Sequence, residues 1–109
     1  MKSGRWLAGA LMLSAGSAVA EPVSFVRGIA PIFQRQCVGC HKAGKAKGKY
    51  RLDTYSHAMK ELVAGNLEES ELYYRITTDD EDDRMPVEAN PLSKQEIELI
   101  RKWIEEGAK

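Results

Sequence analysis

Residues 37–41 read Cys-Val-Gly-Cys-His, a C-x-x-C-H string that contains both cysteines of the 109-residue chain. Two thiols at this spacing can add to the two vinyl groups of one porphyrin. The histidine that follows directly can place its imidazole on the iron. The string therefore predicts haem c as the cofactor, attached covalently through Cys37 and Cys40, with His41 as an axial iron ligand.

Three other interpretations of the string remain open at this point. A dithiol redox site also uses C-x-x-C, but it normally follows a β-strand, and no strand is indicated before Cys37. A zinc site would take the two cysteines and His41 together with His57, although adjacent ligands fit one tetrahedral ion poorly. A structural disulfide between Cys37 and Cys40 would leave His41 without a role.

The sixth position of an iron held by His41 has three candidate ligands. A thioether sulfur is common at this position and raises the reduction potential. Met85 precedes Pro86 on an irregular stretch, where the restricted backbone can hold the sulfur toward the iron. Met59 shares a helical face with apolar neighbours, which favours core packing. We expect Met85 to be the ligand, and His57 is the alternative that would give bis-His iron.

The first 20 residues have the three parts of a secretory signal peptide. Lys2 and Arg5 form a positively charged start, and residues 6–16 are uncharged and mostly apolar. Ala18 and Ala20 then supply the A-x-A arrangement that signal peptidase cuts. The apolar run is shorter than the ~20 residues that cross a bilayer. We therefore expect cleavage and no stable membrane insertion afterwards.

The composition is that of one folded domain. Hydrophobic residues make up 43% and charged residues 29% of the chain, which excludes a disordered tail. Lys+Arg and Asp+Glu both total 16, so the basic excess of nucleic-acid binders is missing and no nucleic-acid partner is expected. The predicted organisation is a signal peptide at 1–20 and a single domain at 21–109. Such a protein would be periplasmic or secreted.

The fold class predicted for this domain is all-α, because apolar residues recur at helical spacing and period-two alternation is missing. The predicted helices lie at 24–37, 54–63, 70–77 and between Ser93 and Gly107. Ser93 and Glu96 form a capping box, which marks the clearest helix start in the sequence. Aromatic residues are only 7% of the chain, so a covalent haem would supply the apolar centre around which about four short helices pack.

Two charged stretches are predicted to be exposed. Five acids stand together at 79–83 and repel one another, which indicates chain that does not pack. The stretch 42–51 follows the candidate iron ligand and reads as a solvated loop. Its cations could surround a haem edge and steer an acidic redox partner: Lys42, Lys45, Lys47, Lys49 and Arg51.

In detail the chain resembles the planctomycete-type cytochrome c family, within the monohaem cytochromes c. The matching strings run in order along most of the mature chain: Ile29 to Phe33, the C-x-x-C-H string, Arg51 to Asp53, Glu69 to Leu72, Arg84 to Pro86, and Pro91 through Ala108. The resemblance implies a small cytochrome c fold, haem c, His41 and Met85 as axial ligands, and first and last helices that cross beside the haem. Members of the family often have M-P-P where this chain has Met-Pro-Val.

The function expected from these features is one-electron transfer by an exported monohaem cytochrome with redox partner proteins, and not enzymatic catalysis by the domain itself. Two alternatives from other classes stay open. One is a gas-binding or catalytic haem c protein, in which the sixth position is vacant or easily vacated. The other is a haem-free periplasmic thiol oxidoreductase.

Overall fold

The computed structural model describes residues 21–46, 49–87 and 89–109. The predicted signal peptide lies outside these residues. The described part is mostly helical, with four α-helices and one short hairpin that lies between the first and the second α-helix.

The first predicted helix is present but has two geometries. A π-helical turn spans Phe25–Ile29 and is capped by Ser24, whose Oγ accepts a hydrogen bond from the N–H of Arg27 at 3.3 Å. It continues directly into α1, Ala30–Gln36, with Pro31 in its first turn. Proline fits there because its missing N–H has no partner in a first helical turn. The helix ends one residue before Cys37.

A two-stranded antiparallel hairpin follows the cysteine segment, where the sequence predicted only a loop. Strand β1 spans His41–Lys42, strand β2 spans Lys45–Ala46, and His41 pairs with Ala46. Gly44 makes the turn with φ 76°, a backbone conformation that glycine adopts without strain. The described domain is thus not purely helical. Strands of two residues are too short to show an alternating pattern, which is why the sequence did not reveal them.

The two central helices are both shorter than their predicted spans, the first by six residues and the second by one. Helix α2 covers Tyr55–Ala58 and passes into a single 3-10 turn at Met59–Glu61. Helix α3 covers Glu71–Thr77. Between them Ser70 is 1% exposed, and its Oγ accepts the N–H of Val63 at 2.9 Å. Ser70 therefore fixes the connection that brings α3 back against the core.

The last helix begins where its capping box predicts. Helix α4 spans Lys94–Glu105, with both hydrogen bonds of the box formed between Ser93 and Glu96. Gly107 follows the helix with φ 104°, which turns the chain back over α4. Because these signals are local in sequence, the prediction of this helix is confirmed almost to the residue.

The core joins the first and last helical segments. Trp103 is fully buried on α4, and its ring centroid lies 5.6 Å from that of Phe25 and 6.3 Å from that of Phe33. The rest of the buried apolar set surrounds these rings: Ile29, Ile32, Leu52, Ala58, Leu62, Leu72, Ile76, Leu92, Ile100, Ile104 and Ala108.

The acidic run at 79–83 is exposed over most of its length, but its last residue packs against α3. Asp83 accepts a hydrogen bond from the hydroxyl of Tyr74 at 2.8 Å and pairs with Arg75 at 3.5 Å. The expectation that the whole run stays unpacked was therefore wrong at Asp83. A cation and a hydroxyl on the neighbouring helix offset the repulsion there.

Candidate functional site

A cleft of about 540 Å³ opens between the cysteine segment, α3 and the chain that follows the acidic run. This volume lies within the ~300–1,000 Å³ of ordinary ligand pockets. The lining includes all four residues that the sequence selected as ligands or attachment points: Cys37, Cys40, His41 and Met85. Residues more than forty positions apart in sequence thus meet at one concave surface.

Helix α1 positions the two cysteines. The N–H groups of Cys37 and Val38 both donate to the carbonyl of Phe33 at 2.9 Å, which ends the helix and turns the chain toward the cleft. Both thiols are free; Cys37 is half-buried and Cys40 is exposed. The two cysteines therefore line one cleft but differ in their exposure.

The environment of Cys37 opposes ionisation of its thiol. Burial, with a smaller contribution from the carboxylate of Glu96, raises the pKa of Cys37 to about 12. Thiol–disulfide chemistry depends on a thiolate and is normally supported by a lowered pKa. This microenvironment does not favour a dithiol oxidoreductase.

His41 is buried, with 7% of its surface exposed, and its orientation is fixed from behind. Its Nδ1 lies 2.7 Å from the carbonyl oxygen of Tyr50. A carbonyl can only accept, so Nδ1 carries the proton and donates it. The lone pair of Nε2 is left for another partner, as in metal-binding histidines whose second nitrogen is held by a backbone carbonyl.

Met85 lines the same cleft although it lies 44 residues after His41 in the sequence. Its N–H donates to the carbonyl of Arg75 at 2.8 Å, so the end of α3 holds the methionine backbone. Met85 is half-buried and is followed in the lining by Pro86 and the exposed Val87. The sulfur-bearing residue is therefore fixed beside the same cleft as His41.

The alternative iron ligand lies elsewhere. His57 is not among the residues that line the cleft in the described part of the chain. Its Nε2 lies 3.0 Å from Nη1 of Arg51, and its Nδ1 lies 2.7 Å from Oγ1 of Thr54. Arginine can only donate, so the Nε2 lone pair is already engaged. Met59 is partly buried against the core, in agreement with its interpretation as a packing residue.

Arg51 also has partners of its own. Its guanidinium forms two hydrogen bonds with Asp53, at 2.7 Å and 2.9 Å, and these hold the pKa of the aspartate well below its usual range. Of the predicted basic group, Lys42, Lys45 and Lys49 are exposed, and Lys47 lies outside the described residues.

The cleft has the donor set and the apolar walls that a haem c requires. Leu52, Leu72 and Ile76 supply buried apolar surface. The hydroxyl of Tyr50, another lining residue, is buried without a hydrogen-bond partner in the described structure. Burial, followed by the nearby Glu61, raises the pKa of Tyr50 and keeps this hydroxyl protonated. A bound group with acceptor oxygens, such as the carboxylates of a haem, fits an unpartnered donor at this position.

Sequence reasoning did not identify Tyr50 or Arg75 as parts of this site. Tyr50 acts through its carbonyl, which any residue could provide, and Arg75 belongs to a helix read only for its apolar face.

Among the described residues, no three side chains of His, Cys, Asp or Glu form a group that could hold a metal ion. None of the described helices is long and apolar enough to cross a membrane.

The attachment string, the buried histidine and the methionine lie on one cleft, an arrangement typical of domains of the cytochrome c type. Comparison with known families agrees with this class. Residues 37–88 match the family described as Planctomycete cytochrome C, which confirms the family that the sequence resemblance named. The match starts at the first cysteine and ends after the Met-Pro segment, and so contains every candidate ligand. No curated protein and no solved structure gives a significant match.

Proposed function

We propose that this protein is an exported monohaem c-type cytochrome that carries single electrons, with His41 and Met85 as the two axial ligands of the iron. One observation carries the proposal: the two cysteines, the histidine and the methionine all line the same cleft. The family match supports the cytochrome c class, and the ligand pair and the export rest on the residues themselves.

Haem c, when bound, supplies an iron centre that alternates between the ferrous and ferric states. The chain has to attach it, orient it and shield it. Cys37 and Cys40 would hold it through two thioether bonds, formed by addition of their S–H groups across the vinyl groups. His41 offers Nε2 because its Nδ1–H donates a hydrogen bond to the backbone carbonyl of Tyr50.

The remaining contacts set the electrostatic environment of the iron. A thioether ligand favours the reduced state, and so does exclusion of water by apolar walls, since both disfavour the extra positive charge of ferric iron. Leu52, Leu72 and Ile76 provide such walls. Cys40 and Val87 are exposed at the cleft, which would leave a haem edge accessible for electron exchange. No substrate-binding or acid–base group is required for this function, so the domain itself is proposed not to be an enzyme.

The proposed location is the periplasm or the extracellular space, on the basis of the predicted signal peptide at residues 1–20. The proposed partners are redox proteins that approach the exposed edge. Lys42 and Lys45 flank the turn of the hairpin directly after His41, where they could attract an acidic partner.

Haem retention tests the proposal directly. The full chain is expressed with a cytochrome c maturation system, and haem is extracted with acidic acetone. Wild type should keep its haem and give a c-type pyridine haemochrome spectrum, whereas a variant with Cys37→Ala and Cys40→Ala should lose it. Haem-free wild-type protein, or retention by the double variant, would contradict covalent attachment. Ready binding of carbon monoxide by ferrous wild type would favour a gas-binding protein.

A further inference from the structure

Arg75 links α3 to the segment that carries Met85. Its Nε lies 2.6 Å from Oε2 of Glu71, which orients the guanidinium on the surface of the helix. Its Nη1 donates to the backbone carbonyl of Asp83 at 3.3 Å and pairs with the Asp83 carboxylate at 3.5 Å. Arg75 is also one of the residues that line the cleft. One side chain thus contacts both the helix and the chain two residues before Met85.

The backbone of the same residue makes a further contact. The carbonyl of Arg75 accepts the N–H of Met85 at 2.8 Å. Asp83 lies between Arg75 and Met85 in the sequence and has a second contact with α3. Its other carboxylate oxygen accepts a hydrogen bond from the hydroxyl of Tyr74 at 2.8 Å. Two consecutive residues of α3 therefore hold a short stretch of chain at Asp83 and at Met85.

A tight turn makes this stretch stiff. The N–H groups of Asp83 and Arg84 both donate to the carbonyl of Asp80, at 3.0 Å and 2.8 Å. Only Arg84 separates Asp83 from Met85, so a displacement of Asp83 would move the methionine with it. Four further acids precede Asp83, and their mutual repulsion would draw the turn away from the helix if no cation opposed it.

We propose that Arg75 is a positioning residue that keeps Met85 in the cleft by clamping Asp83 to α3, an inference that rests on the proposed ligation of iron by Met85. The clamp would limit how far the sulfur of Met85 can move out of the cleft. Within the acidic run, Asp83 then has a specific role, because it is the residue that Arg75 and Tyr74 contact.

The test uses holoprotein with attached haem and compares Arg75→Gln with Arg101→Gln. Arg101 is a matched control, because its side chain is also 30% exposed and also pairs with two acids of its neighbourhood, Glu98 and Glu105. It lies on α4 and is not among the residues that line the cleft. The two variants lose comparable surface ion pairs, but only one loses the contact with Asp83.

Two measurements report on the iron–methionine bond: the near-infrared absorption of ferric iron bound to thioether, and the rate at which ferrous protein binds carbon monoxide. Arg75→Gln should weaken the absorption and raise the binding rate roughly fivefold to tenfold, where tenfold corresponds to about 1.4 kcal/mol. The effect is partial because the backbone bond from Met85 remains. Arg101→Gln should change neither measurement.

A double-mutant cycle assigns the effect to the clamp. If Arg75 acts through Asp83, adding Asp83→Asn to Arg75→Gln should produce little further change, since the two substitutions remove one interaction. Equal behaviour of Arg75→Gln and Arg101→Gln, or additive effects in the cycle, would overturn the clamp while leaving Met85 as the ligand. Absence of the near-infrared absorption in wild type would instead overturn the proposed ligation, and the clamp with it.

Discussion

The Nδ1 atom of His41 lies 2.7 Å from the carbonyl oxygen of Tyr50, nine residues further along the chain. The hairpin between them makes this contact possible, because β1 begins at His41 and β2 returns the chain toward Tyr50. The two rings also meet edge to face, with centroids 5.1 Å apart. Tyr50 thus fixes both the tautomer and the tilt of the histidine proposed to hold iron.

Tyr50→Phe tests the other end of this side chain. The substitution keeps the backbone carbonyl and the ring against His41, and removes only the buried hydroxyl that has no partner in the described structure. If a haem carboxylate accepts from this hydroxyl, the free energy of unfolding of the holoprotein should fall by about 1 kcal/mol, the usual net value of a hydrogen bond. Denaturant titration of wild type and variant gives this difference.

Tyr73→Phe is the control, because Tyr73 packs partly buried against the core and is not among the residues that line the cleft. It should leave the stability of the holoprotein nearly unchanged. A Tyr50→Phe protein that is more stable than wild type would show that the hydroxyl stays unpartnered beside the haem, since removal of an unsatisfied buried group is favourable.

Glu96 joins the first and last helices, and its substitution should lower stability in a pH-dependent way. Its carboxylate accepts from the N–H of Ser93 at 2.9 Å and from the side chains of Arg35 at 3.3 Å and Gln36 at 3.4 Å. Glu96→Ala removes the cap and the link together. The expected cost is about 1–2 kcal/mol in the free energy of unfolding, as for other lost caps.

The same contacts lower the pKa of Glu96, with the hydrogen bond from Ser93 as the largest cause. A group with a lowered folded pKa contributes stability above its unfolded value of about 4.3, and the contribution is lost as the pH falls through the folded pKa. Glu96→Gln should therefore flatten the loss of stability below about pH 5 relative to wild type. Glu68→Gln, on an exposed position, should not. Parallel pH profiles for wild type and Glu96→Gln would contradict this assignment.

The parts of the fold that the sequence predicted well are those with local signals. The capping box at Ser93 and the glycine at 107 give α4 almost to the residue. The hairpin after His41 escaped prediction, because it depends on backbone pairing between strands of only two residues. No local signal predicts that α2 ends early. The chain continues as a 3-10 turn in which Met59 packs against the core, and this change depends on tertiary packing.

The residues of the candidate site also differ in whether a local sequence signal could predict them. Cys37, Cys40 and His41 lie within five consecutive residues, so a haem-attachment site could be predicted from their spacing alone. The position of Met85 on the same cleft depends on α3, whose Arg75 carbonyl holds it from ten residues away. Contacts of this kind use the backbone or a single surface side chain, which leave no pattern of residue types in the sequence.

The exposed lysines of the hairpin should accelerate reaction with an anionic redox partner. Lys42 and Lys45 are both exposed beside the turn, whereas Arg51 is already paired with Asp53. Lys42→Gln with Lys45→Gln should lower the second-order electron-transfer rate at low ionic strength, and the difference from wild type should vanish as the Debye length falls below about 10 Å near 0.1 M salt. Stopped-flow rates over a series of salt concentrations measure this.

The variant Lys60→Gln with Lys94→Gln provides the matched control for charge, because it also removes two positive charges and both lysines are exposed and absent from the residues that line the cleft. Its rate should stay close to that of wild type at every salt concentration. A wild-type rate that does not depend on ionic strength would remove the steering role of the hairpin, and equal losses in the two variants would assign the effect to net charge alone.

Met85 and His57 make opposite predictions for the sixth position of the iron. Met85 lines the cleft, while both ring nitrogens of His57 contact Thr54 and Arg51. Met85→Ala should abolish the near-infrared thioether absorption and let the ferrous form bind carbon monoxide readily. It should also lower the reduction potential by on the order of 0.1 V, a small part of the ~0.8 V that axial ligands span, because loss of the thioether stabilises ferric iron.

His57→Ala should leave the axial spectrum, the potential and the slow reaction with carbon monoxide unchanged, since it removes side-chain contacts with Arg51 and Thr54 and no residue that lines the cleft. Absorption spectra of the ferric forms and protein-film voltammetry of the same three proteins provide the comparison. If His57→Ala alters the axial spectrum and Met85→Ala does not, the iron is bis-His and Arg51 must release the histidine when haem is attached. If wild type binds carbon monoxide as fast as Met85→Ala, the sixth position is open, and gas binding replaces electron transfer as the function that this cleft supports.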